Sequence, residues 1–203
     1  TWFRVPGSFN DVAHKNGVVT GCLYFIDWAS SVTANTFAGE PLAKLCQKEG
    51  SQFKYAKKFV QMLKYYGIDG IGLNPEGSWN STLNNDFQDF LAECHRIGTE
   101  EENWPFRVDW YAYVSNTGSL SDNGCKLTTN NDKWFHKNGY PVTDVFFLNY
   151  NWSEDGLSQS VATAQSLGRD PRDVYAGFDQ QGRGYGKYGN AGWNALAKYP
   201  VSI

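Results

Sequence analysis

The sequence has few of the residues that bind metal ions in proteins. Its 203 residues include three histidines and four cysteines, with no CxxC pair and no cysteine at ligand spacing from a histidine. We therefore expect no zinc site and no cofactor. We also expect free thiols, because Cys22 and Cys94 fall within apolar segments, where cysteine behaves as a small hydrophobe.

A basic surface and a long apolar run are missing as well. Eighteen lysines and arginines are scattered along the chain against 21 acidic residues, and the net charge is -3. Nucleic acid is therefore a poor candidate partner. No apolar stretch approaches the roughly 20 residues of a membrane helix, so we expect no membrane partner. The chain opens at Thr1 without a methionine or signal segment, which indicates a processed protein or a piece of a longer one.

Apolar and aromatic residues are plentiful. Hydrophobic residues make up 41% of the chain, enough to bury one substantial core, so we expect residues 1–203 to form a single domain. Eight Trp, twelve Tyr and 21 Gly suit sugar binding, because pyranose faces stack on aromatic rings. Most of these rings are nevertheless expected in the core.

Helix and strand patterns alternate along the chain. Two short helices are predicted, one capped by Ser8 and ending at Gly17 and one near Asn131 to Lys137. Three longer helices are predicted from apolar stripes. The stripes are Phe53, Ala56, Val60 and Leu63 in a helix capped by Ser51, then Leu83, Phe87, Phe90, Leu91, Cys94 and Ile97, and finally Leu157, Val161, Ala164 and Leu167. The predicted strands are Val18 to Asp27, the strand that follows Gly67 and includes Asn74 and Glu76, Phe106 to Tyr113, Asp144 to Asn151 and Val174 to Asp179.

Five strands separated by helices predict parallel βα units. Arg107, Asp109, Tyr111 and Tyr113 share one side of their strand, and polar residues collect near the carboxyl ends of the strands. This is where a (β/α)8 barrel of the TIM type places its chemistry. The alternative, a doubly wound sheet, lacks support because no glycine-rich phosphate loop follows any strand. A complete barrel takes roughly 250 residues and eight strands, so we expect an incomplete one with about five βα units.

The strand that follows Gly67 carries the most informative pair of residues. Asn74 and Glu76 emerge on one face of this strand, where Gly70 and Gly72 leave room. Ordinary glycosidases use two carboxyl groups, and here one of the two is an amide. An amide cannot act as nucleophile. The pair therefore suits a substrate that supplies its own, such as the 2-acetamido group of N-acetylglucosamine, with Glu76 as proton donor and Asn74 orienting the acetamide.

Three other interpretations remain open. Asn74 could simply close the strand and Glu76 could be a solvated loop acid. The protein could be a non-catalytic glycan-binding barrel, which would need aromatic platforms but no acid. It could also be a conventional retaining glycosidase, with Glu76 as acid and Asp109 or Asp179 as nucleophile, which requires the two carboxyls to be roughly 5 Å apart.

Several segments together resemble successive blocks of glycoside hydrolase family 85. The blocks occur in family order from about residue 5 to residue 186. They are Asp11-Val12-Ala13-His14-Lys15-Asn16-Gly17-Val18, Tyr65 to Glu76, Trp110-Tyr111, Phe147-Leu148-Asn149-Tyr150-Asn151-Trp152, and Asp173-Val174-Tyr175-Ala176-Gly177-Phe178-Asp179 with Gly182-Arg183-Gly184.

The resemblance implies a (β/α)8 endo-β-N-acetylglucosaminidase that cuts the β-1,4 bond in the N,N'-diacetylchitobiose core of N-linked glycans, with transglycosylation as a further activity. N-glycans or glycoproteins would be the substrates. Bacterial members would be secreted or in the cell envelope, and eukaryotic ones cytosolic. The implied catalytic residues are Asn74, Glu76 and Tyr111. The candidate substrate-binding residues are Trp28, Asn149, Asn151, Trp152, Asp179 and Arg183.

The sequence departs from the family pattern at two positions, and both bear on substrate preference and rate. Pro75 lies between Asn74 and Glu76 and restricts Asn74 to an extended conformation. Ala112 replaces the family's acidic residue after Trp110-Tyr111.

Other polar residues are predicted to serve the structure. His14, His95 and His136 are expected on helices in surface or packing roles, because the catalytic groups of a barrel lie at strand ends. Asp69 has the opposite strand parity to Asn74 and is expected to be structural.

Overall fold

The computed structural model describes residues 5–27, 30–121, 124–184 and 189–203, without the side chains of residues 183 and 189–191. Its central element is a parallel sheet whose strands adjoin one another in chain order: β1 (Gly21–Ile26), β2 (Gly70–Pro75), β3 (Arg107–Tyr111), β4 (Val145–Leu148) and β5 (Val174–Ala176). A (β/α)8 barrel has this order, whereas a doubly wound sheet reverses at a switch point. The expected incomplete barrel is therefore confirmed.

Helices cover the outer face of the sheet. They are α1 (Gly7–Lys15), α2 (Glu40–Leu45), α3 (Ala56–Tyr65), α4 (Ser81–Ile97), α5 (Glu154–Ser166), α6 (Gln180–Arg183) and α7 (Gly189–Lys198), with a π-helical turn at Gly98–Glu102 and 3-10 turns at Asp132–Trp134 and Pro171–Asp173. Within the described ranges, none of these helices combines the length and the apolar character needed to cross a bilayer.

The apolar core lies between the sheet and these helices. Val108 and Trp110 of β3 are fully buried, as are Phe87 and Phe90 of α4. The indole of Trp110 stacks on that of Trp134 with ring centroids 3.7 Å apart. Burying each large apolar side chain contributes about 1.5–3 kcal/mol. Because this packing uses every second residue of β3, the intervening residues are left for the concave face of the sheet.

Two predicted helix caps are wrong. Ser8 lies inside α1, which begins at Gly7 after Pro6. Ser51 lies in the turn of a hairpin between the two-residue strands Lys48–Glu49 and Gln52–Phe53, and α3 starts beyond it. Apolar periodicity located both helices, but a nearby serine did not define where they begin.

The helix predicted near Asn131 to Lys137 is also wrong. Residues 132–134 form one 3-10 turn, and His136–Lys137 pairs with Tyr140–Pro141 as an antiparallel hairpin. The hairpin turns through Asn138 and Gly139, whose φ angles are 56° and 83°. Consecutive positive φ values suit a two-residue hairpin turn and exclude a right-handed helix. His136 therefore lies on a strand, whereas His14 and His95 lie on helices as predicted.

The strands are shorter than predicted. Val18 and Val19 precede β1 and are 56% and 59% exposed. Strand β3 spans residues 107–111 and β5 spans residues 174–176. Strand β4 ends at Leu148, and the side chain of Asn149 then accepts a hydrogen bond from the backbone N–H of Tyr150 at 2.7 Å. This side-chain bond starts a turn and ends the alternation of side chains.

The two outer strands of the sheet differ. On β1, Leu23 and Phe25 are 66% and 53% exposed on the concave face. Beside β5, Ser202 forms a parallel bridge with Tyr175, and its backbone N–H donates to the carbonyl oxygen of Val174 at 2.9 Å. Ser202 thus extends the sheet past β5.

Candidate active site

The concave face of the sheet borders an open cavity of about 620 Å³. Strand β3 contributes Arg107, Asp109 and Tyr111 to its wall. The cavity wall is formed by Gly21, Cys22, Leu23, Gly72, Leu73, Asn74, Glu76, Arg107, Asp109, Trp110, Tyr111, Val145, Phe147, Tyr150 and Tyr175. All five strands or their carboxyl-terminal extensions therefore meet at one site.

Asn74 and Glu76 lie together at the carboxyl end of β2. Glu76 is the first residue beyond the strand, and its backbone N–H donates to the carbonyl oxygen of Ile26 at 2.8 Å. The Nδ2 of Asn74 donates to the Oε1 of Glu76 at 3.5 Å. The next residue must be glycine, because a Cβ on Gly77 would collide with the carbonyl oxygen of Ser30. Backbone contacts from β1 and its following loop thus hold the pair in the cavity wall.

One atom of this pair is unsatisfied. The Oδ1 of Asn74 is buried and has no hydrogen-bond partner among the described residues. Leaving a buried amide oxygen unpaired costs about 1–3 kcal/mol, so such a group needs an explanation. Because Asn74 lines the cavity, an N–H or O–H group of a bound ligand could satisfy this oxygen.

Tyr111 adjoins the pair from the neighbouring strand. It follows Trp110, the register partner of Leu73, so it lies level with Asn74. Burial raises the pKa of Tyr111, and the negative charge of nearby Glu76 raises it further. The phenol is therefore neutral near pH 7 and can donate its O–H group inside the cavity.

Further aromatic rings pack beside Tyr111, and two of them, Phe147 and Tyr150, belong to the cavity wall. The rings of Tyr111 and Tyr113 are nearly parallel with centroids 5.8 Å apart, and Phe147 lies 6.0 Å from Tyr111 and 6.1 Å from Tyr150. Sequence reasoning missed Phe147 and Tyr150 as cavity residues. Strand alternation on β4 could have located Phe147, whereas the turn at Asn149 concealed the orientation of Tyr150.

Asp109 lies deeper in the cavity, toward the amino ends of the strands. Its register partner on β2 is Gly72. Gly72 is four residues before Glu76, which corresponds to about 13 Å along a strand. Desolvation by the surrounding protein raises the pKa of the Asp109 carboxyl, and the nearby charge of Arg107 only partly opposes this rise.

Asn149, Asn151 and Trp152 are not part of this cavity wall. The indole N–H of Trp152 donates to the carbonyl oxygen of Gly177 at 2.9 Å, and its ring meets Phe178 edge to face. Trp152 is therefore fixed against the segment after β5, beyond the rim of the described cavity. A substrate-binding role for these three residues stays a prediction.

The remaining predicted substrate residues lie after β5 or outside the described part of the chain. Asp179 accepts a hydrogen bond from the backbone N–H of Gly182 at 2.8 Å and so caps α6. Arg183 is the last residue of α6, and its side chain is outside the described residues, as is all of Trp28.

The described residues also bear on metals and thiols. Within residues 5–27, 30–121, 124–184 and 189–203, no three His, Cys, Asp or Glu side chains are placed to hold a metal ion. Cys22, Cys46 and Cys94 are buried thiols, and burial raises the pKa of each. A thiol with a raised pKa is a poor nucleophile near pH 7.

The parallel partial barrel, with an amide and a carboxyl group at the carboxyl end of a strand, has the architecture of a barrel-type glycoside hydrolase. Residues 5–202 match the model of glycosyl hydrolase family 85, and the chain belongs to this family.

Named relatives agree with this assignment. The chain is 30% identical over 203 residues to the cytosolic endo-beta-N-acetylglucosaminidase of Danio rerio, covering 97% of this chain and 26% of the relative. It is 26% identical over 188 residues to the Homo sapiens protein of the same name, covering 88% of this chain and 22% of that one. The chain thus spans about a quarter of the length of these relatives.

A solved structure extends the likeness to the fold. The glycoside hydrolase domain of Endo-D from Streptococcus pneumoniae R6 superposes with a TM-score of 0.77 at 25% identity. The match covers 98% of this chain and 31% of that chain.

Proposed function

We propose that the protein is an endo-β-N-acetylglucosaminidase that hydrolyses the β-1,4 bond of the N,N'-diacetylchitobiose core of N-linked glycans, with residues 1–203 belonging to one glycosidase catalytic domain. Family membership and the names of the relatives support this activity class. The main structural support is the Asn74–Glu76 pair, in which a buried amide oxygen without a partner among the described residues lies beside a carboxyl group in one cavity.

In the first step, the substrate supplies the nucleophile. The N–H group of the 2-acetamide donates to Oδ1 of Asn74, which turns the acetamide carbonyl oxygen toward the anomeric carbon. Glu76 gives its proton to the glycosidic oxygen as the bond between that oxygen and the anomeric carbon breaks. The carbonyl oxygen forms a new bond to the anomeric carbon, and the intermediate is an oxazolinium ion.

In the second step, Glu76 reverses its role. Its carboxylate removes a proton from water as the water oxygen bonds to the anomeric carbon and the oxazoline ring opens. The acetamide is regenerated, and Glu76 is protonated again. A sugar hydroxyl in place of water would give transglycosylation by the same proton transfers.

Tyr111 supports these steps as a neutral hydrogen-bond donor. Its pKa is raised by burial and by the charge of Glu76, so its hydroxyl keeps its proton throughout the cycle. A hydrogen-bond donor fixed beside the reacting groups stabilises the charge that develops in a transition state. We assign Tyr111 to hold the reacting acetamide or Glu76 in place.

The two-carboxylate mechanism fits this site less well. Asp109 lies level with Gly72, about 13 Å of strand before Glu76, and the charged groups that shift its pKa are Arg107 and Asp144. Asp179 caps α6 and does not line the cavity.

A glycopeptide with a high-mannose glycan tests the proposal. After incubation with the protein, mass spectrometry of the peptide should show a single N-acetylglucosamine left on the asparagine. A peptide that keeps both core sugars, or loses both, would refute cleavage of the chitobiose bond. The Glu76→Gln variant is the matched control, because it keeps the side-chain shape and removes the acid.

A further inference from the structure

A second cavity, of about 420 Å³, lies in the loop that follows Tyr111. This volume falls in the roughly 300–1,000 Å³ range of small-molecule sites. Seven of the eight wall residues that the structure describes carry an uncharged hydroxyl or amide group, and none of the eight is charged. The wall is formed by Ser115, Asn116, Thr117, Ser119, Leu120, Ser121, Thr129 and Asn130, so it shares no residue with the first cavity.

This second cavity lies on the same end of the sheet as the catalytic pair. Its loop leaves the carboxyl end of β3, and Asn84 in the first turn of α4 donates to the carbonyl oxygen of Asn116 at 2.9 Å. Gly118 packs so closely on Trp79 that a Cβ would collide with the carbonyl oxygen of Trp79. Trp79 is three residues beyond Glu76, so the catalytic segment and the second cavity are in direct contact through this pair.

Hydrogen bonds within the protein hold the wall of the second cavity in place. Asn116 uses its whole amide group structurally: Nδ2 donates to Asp132 at 2.7 Å and to the carbonyl oxygen of Thr129 at 2.9 Å, and Oδ1 accepts from the backbone N–H of Lys133 at 2.9 Å. The indole N–H of Trp134 donates to the carbonyl oxygen of Ser115 at 3.1 Å. The polar groups of the wall are therefore already in place before any ligand binds, which lowers the entropy cost of binding.

Three hydroxyl groups meet in this wall. The Oγ of Ser115 lies 3.0 Å from Thr117 Oγ1 and 2.8 Å from Ser119 Oγ, and the latter two are 3.3 Å apart. Each hydroxyl can exchange donor and acceptor roles and has two acceptor positions. Leu120, which is 49% exposed, adds an apolar edge. Rotatable hydroxyls beside an apolar edge match a pyranose ring, which has hydroxyl groups on its rim and C–H groups on its face.

We propose that this second cavity binds a neutral hexose unit in an outer arm of the glycan whose core is cleaved at Asn74 and Glu76. The inference rests on the proposed function for its choice of substrate. None of the wall residues that the structure describes is charged, so the carboxylate of an acidic sugar would lose water without gaining a cation from them, whereas a neutral sugar needs no cation. Both cavities lie at the carboxyl end of the sheet, as one branched glycan that occupies both would require.

The test uses the Thr117→Ala/Ser119→Ala double variant. Both side chains are exposed, so the variant should fold normally. Ser51→Ala is the matched control, since it removes a hydroxyl from a cavity of similar volume, about 380 Å³, whose wall includes Lys48, Asp89 and Glu93. A free mannose trisaccharide without N-acetylglucosamine serves as the binding probe, measured by saturation-transfer NMR and calorimetry.

We expect the wild-type protein to bind the trisaccharide, and the double variant to bind it about tenfold more weakly, as expected for the loss of two hydroxyl hydrogen bonds. KM for a branched high-mannose glycopeptide should rise by a similar factor with kcat unchanged. KM for a glycopeptide truncated to the core with one mannose should not change in either variant.

Two results would overturn the inference: no trisaccharide binding by the wild-type protein, or an equal rise in KM for both glycopeptides. An effect of the control as large as that of the double variant would overturn it too. Failure of the proposed function is distinguishable, because the wild-type protein would then cleave neither glycopeptide while the trisaccharide still reports on the second cavity.

Discussion

The two ends of the sheet differ in how fully their polar side chains are hydrogen-bonded. At the amino end, Asp69 and Asp144 each precede a strand and accept several hydrogen bonds within the protein. At the carboxyl end, Asn74 and Glu76 share one long contact of 3.5 Å, and the amide oxygen of Asn74 has no described partner. The fully hydrogen-bonded carboxylates at the amino end have a structural role, whereas the incompletely hydrogen-bonded pair at the carboxyl end lies in a cavity open to a ligand.

The amino end repeats one arrangement two strands apart. Asp69, just before β2, accepts from the backbone N–H of Thr20 at 2.6 Å and contacts His14 Nε2 at 2.9 Å. Asp144, just before β4, accepts from the backbone N–H of Val108 at 2.7 Å and contacts His95 Nε2 at 2.9 Å. In each case one carboxylate connects a strand start to a histidine of the helix before the neighbouring strand.

In this fold, the residues that stabilise the protein and the residues of the candidate active site lie at opposite ends of the sheet. Satisfied polar networks rigidify a protein, whereas an under-bonded group keeps its capacity for a substrate. Barrel enzymes in general keep catalysis at the carboxyl end and stability at the amino end. Substitutions at the carboxyl end should therefore lower activity, whereas substitutions at the amino end should lower stability.

The largest effect is expected for Glu76→Gln. Loss of the proton donor should lower kcat/KM for a glycopeptide by on the order of 10²–10⁴-fold. The midpoint of thermal unfolding should stay within about 2 °C of the wild type, because among the described residues the hydrogen bond of the Glu76 side chain is the long one to Asn74. A large loss of thermal stability would place Glu76 with the structural carboxylates and would contradict the difference between the two ends of the sheet.

Tyr111→Phe should have the next largest effect. Removing one fixed donor beside the reacting groups should lower kcat by about 10²-fold while the aromatic ring is kept. The matched control is Tyr113→Phe, which stacks on Tyr111 but does not line the cavity and should leave kcat nearly unchanged. Equal losses in both variants would remove the distinction between the two tyrosines.

Asp144→Ala should weaken the amino end without altering the chemistry. The backbone N–H of Val108 and the side chain of His95 would lose their acceptor, so the free energy of unfolding should fall by roughly 1–3 kcal/mol. Denaturant unfolding measures this change, with Glu40→Gln as control, because Glu40 pairs only with Lys44 at the surface. If kcat of the folded Asp144→Ala protein also fell strongly, the two ends would not be independent.

The smallest expected effect is a loss of unfolding free energy at acid pH. Burial raises the pKa of Asp144, but the hydrogen bonds from His95 and Val108 and the charge of His95 outweigh burial and hold this pKa below its ordinary value. A depressed folded-state pKa adds stability above the unfolded pKa of about 3.9, and this stability is lost as pH falls through the folded value. The wild-type protein should therefore lose more unfolding free energy than Asp144→Asn between pH 5 and pH 3. Parallel losses would contradict the assignment.

Local alternation was sufficient to predict much of the fold and part of the cavity. On β3, the pattern predicts correctly that Val108 and Trp110 are buried while Arg107 and Asp109 face the other way. Short-range rules also carried a signal that was overlooked: Asn138-Gly139 is a hairpin turn sequence, and a hairpin is what forms there.

Features that depend on distant residues could not be predicted in this way. His14 lies 55 residues from Asp69 in sequence, and His95 lies 49 residues from Asp144. Tyr150 reaches the cavity only because Asn149 turns the chain after β4. Such pairings depend on three-dimensional packing, and no local pattern specifies them.

The most direct test of the central claim compares Asn74→Ala with Glu76→Gln on a preformed sugar oxazoline. If Asn74 serves only to position the acetamide, the oxazoline bypasses its step, and Asn74→Ala should regain most of the wild-type rate of glycosyl transfer. Glu76→Gln should remain slow, because Glu76 must still remove a proton from the acceptor in the second step. Equal recovery of both variants would contradict the assigned roles, as would a covalent glycosyl ester on Asp109.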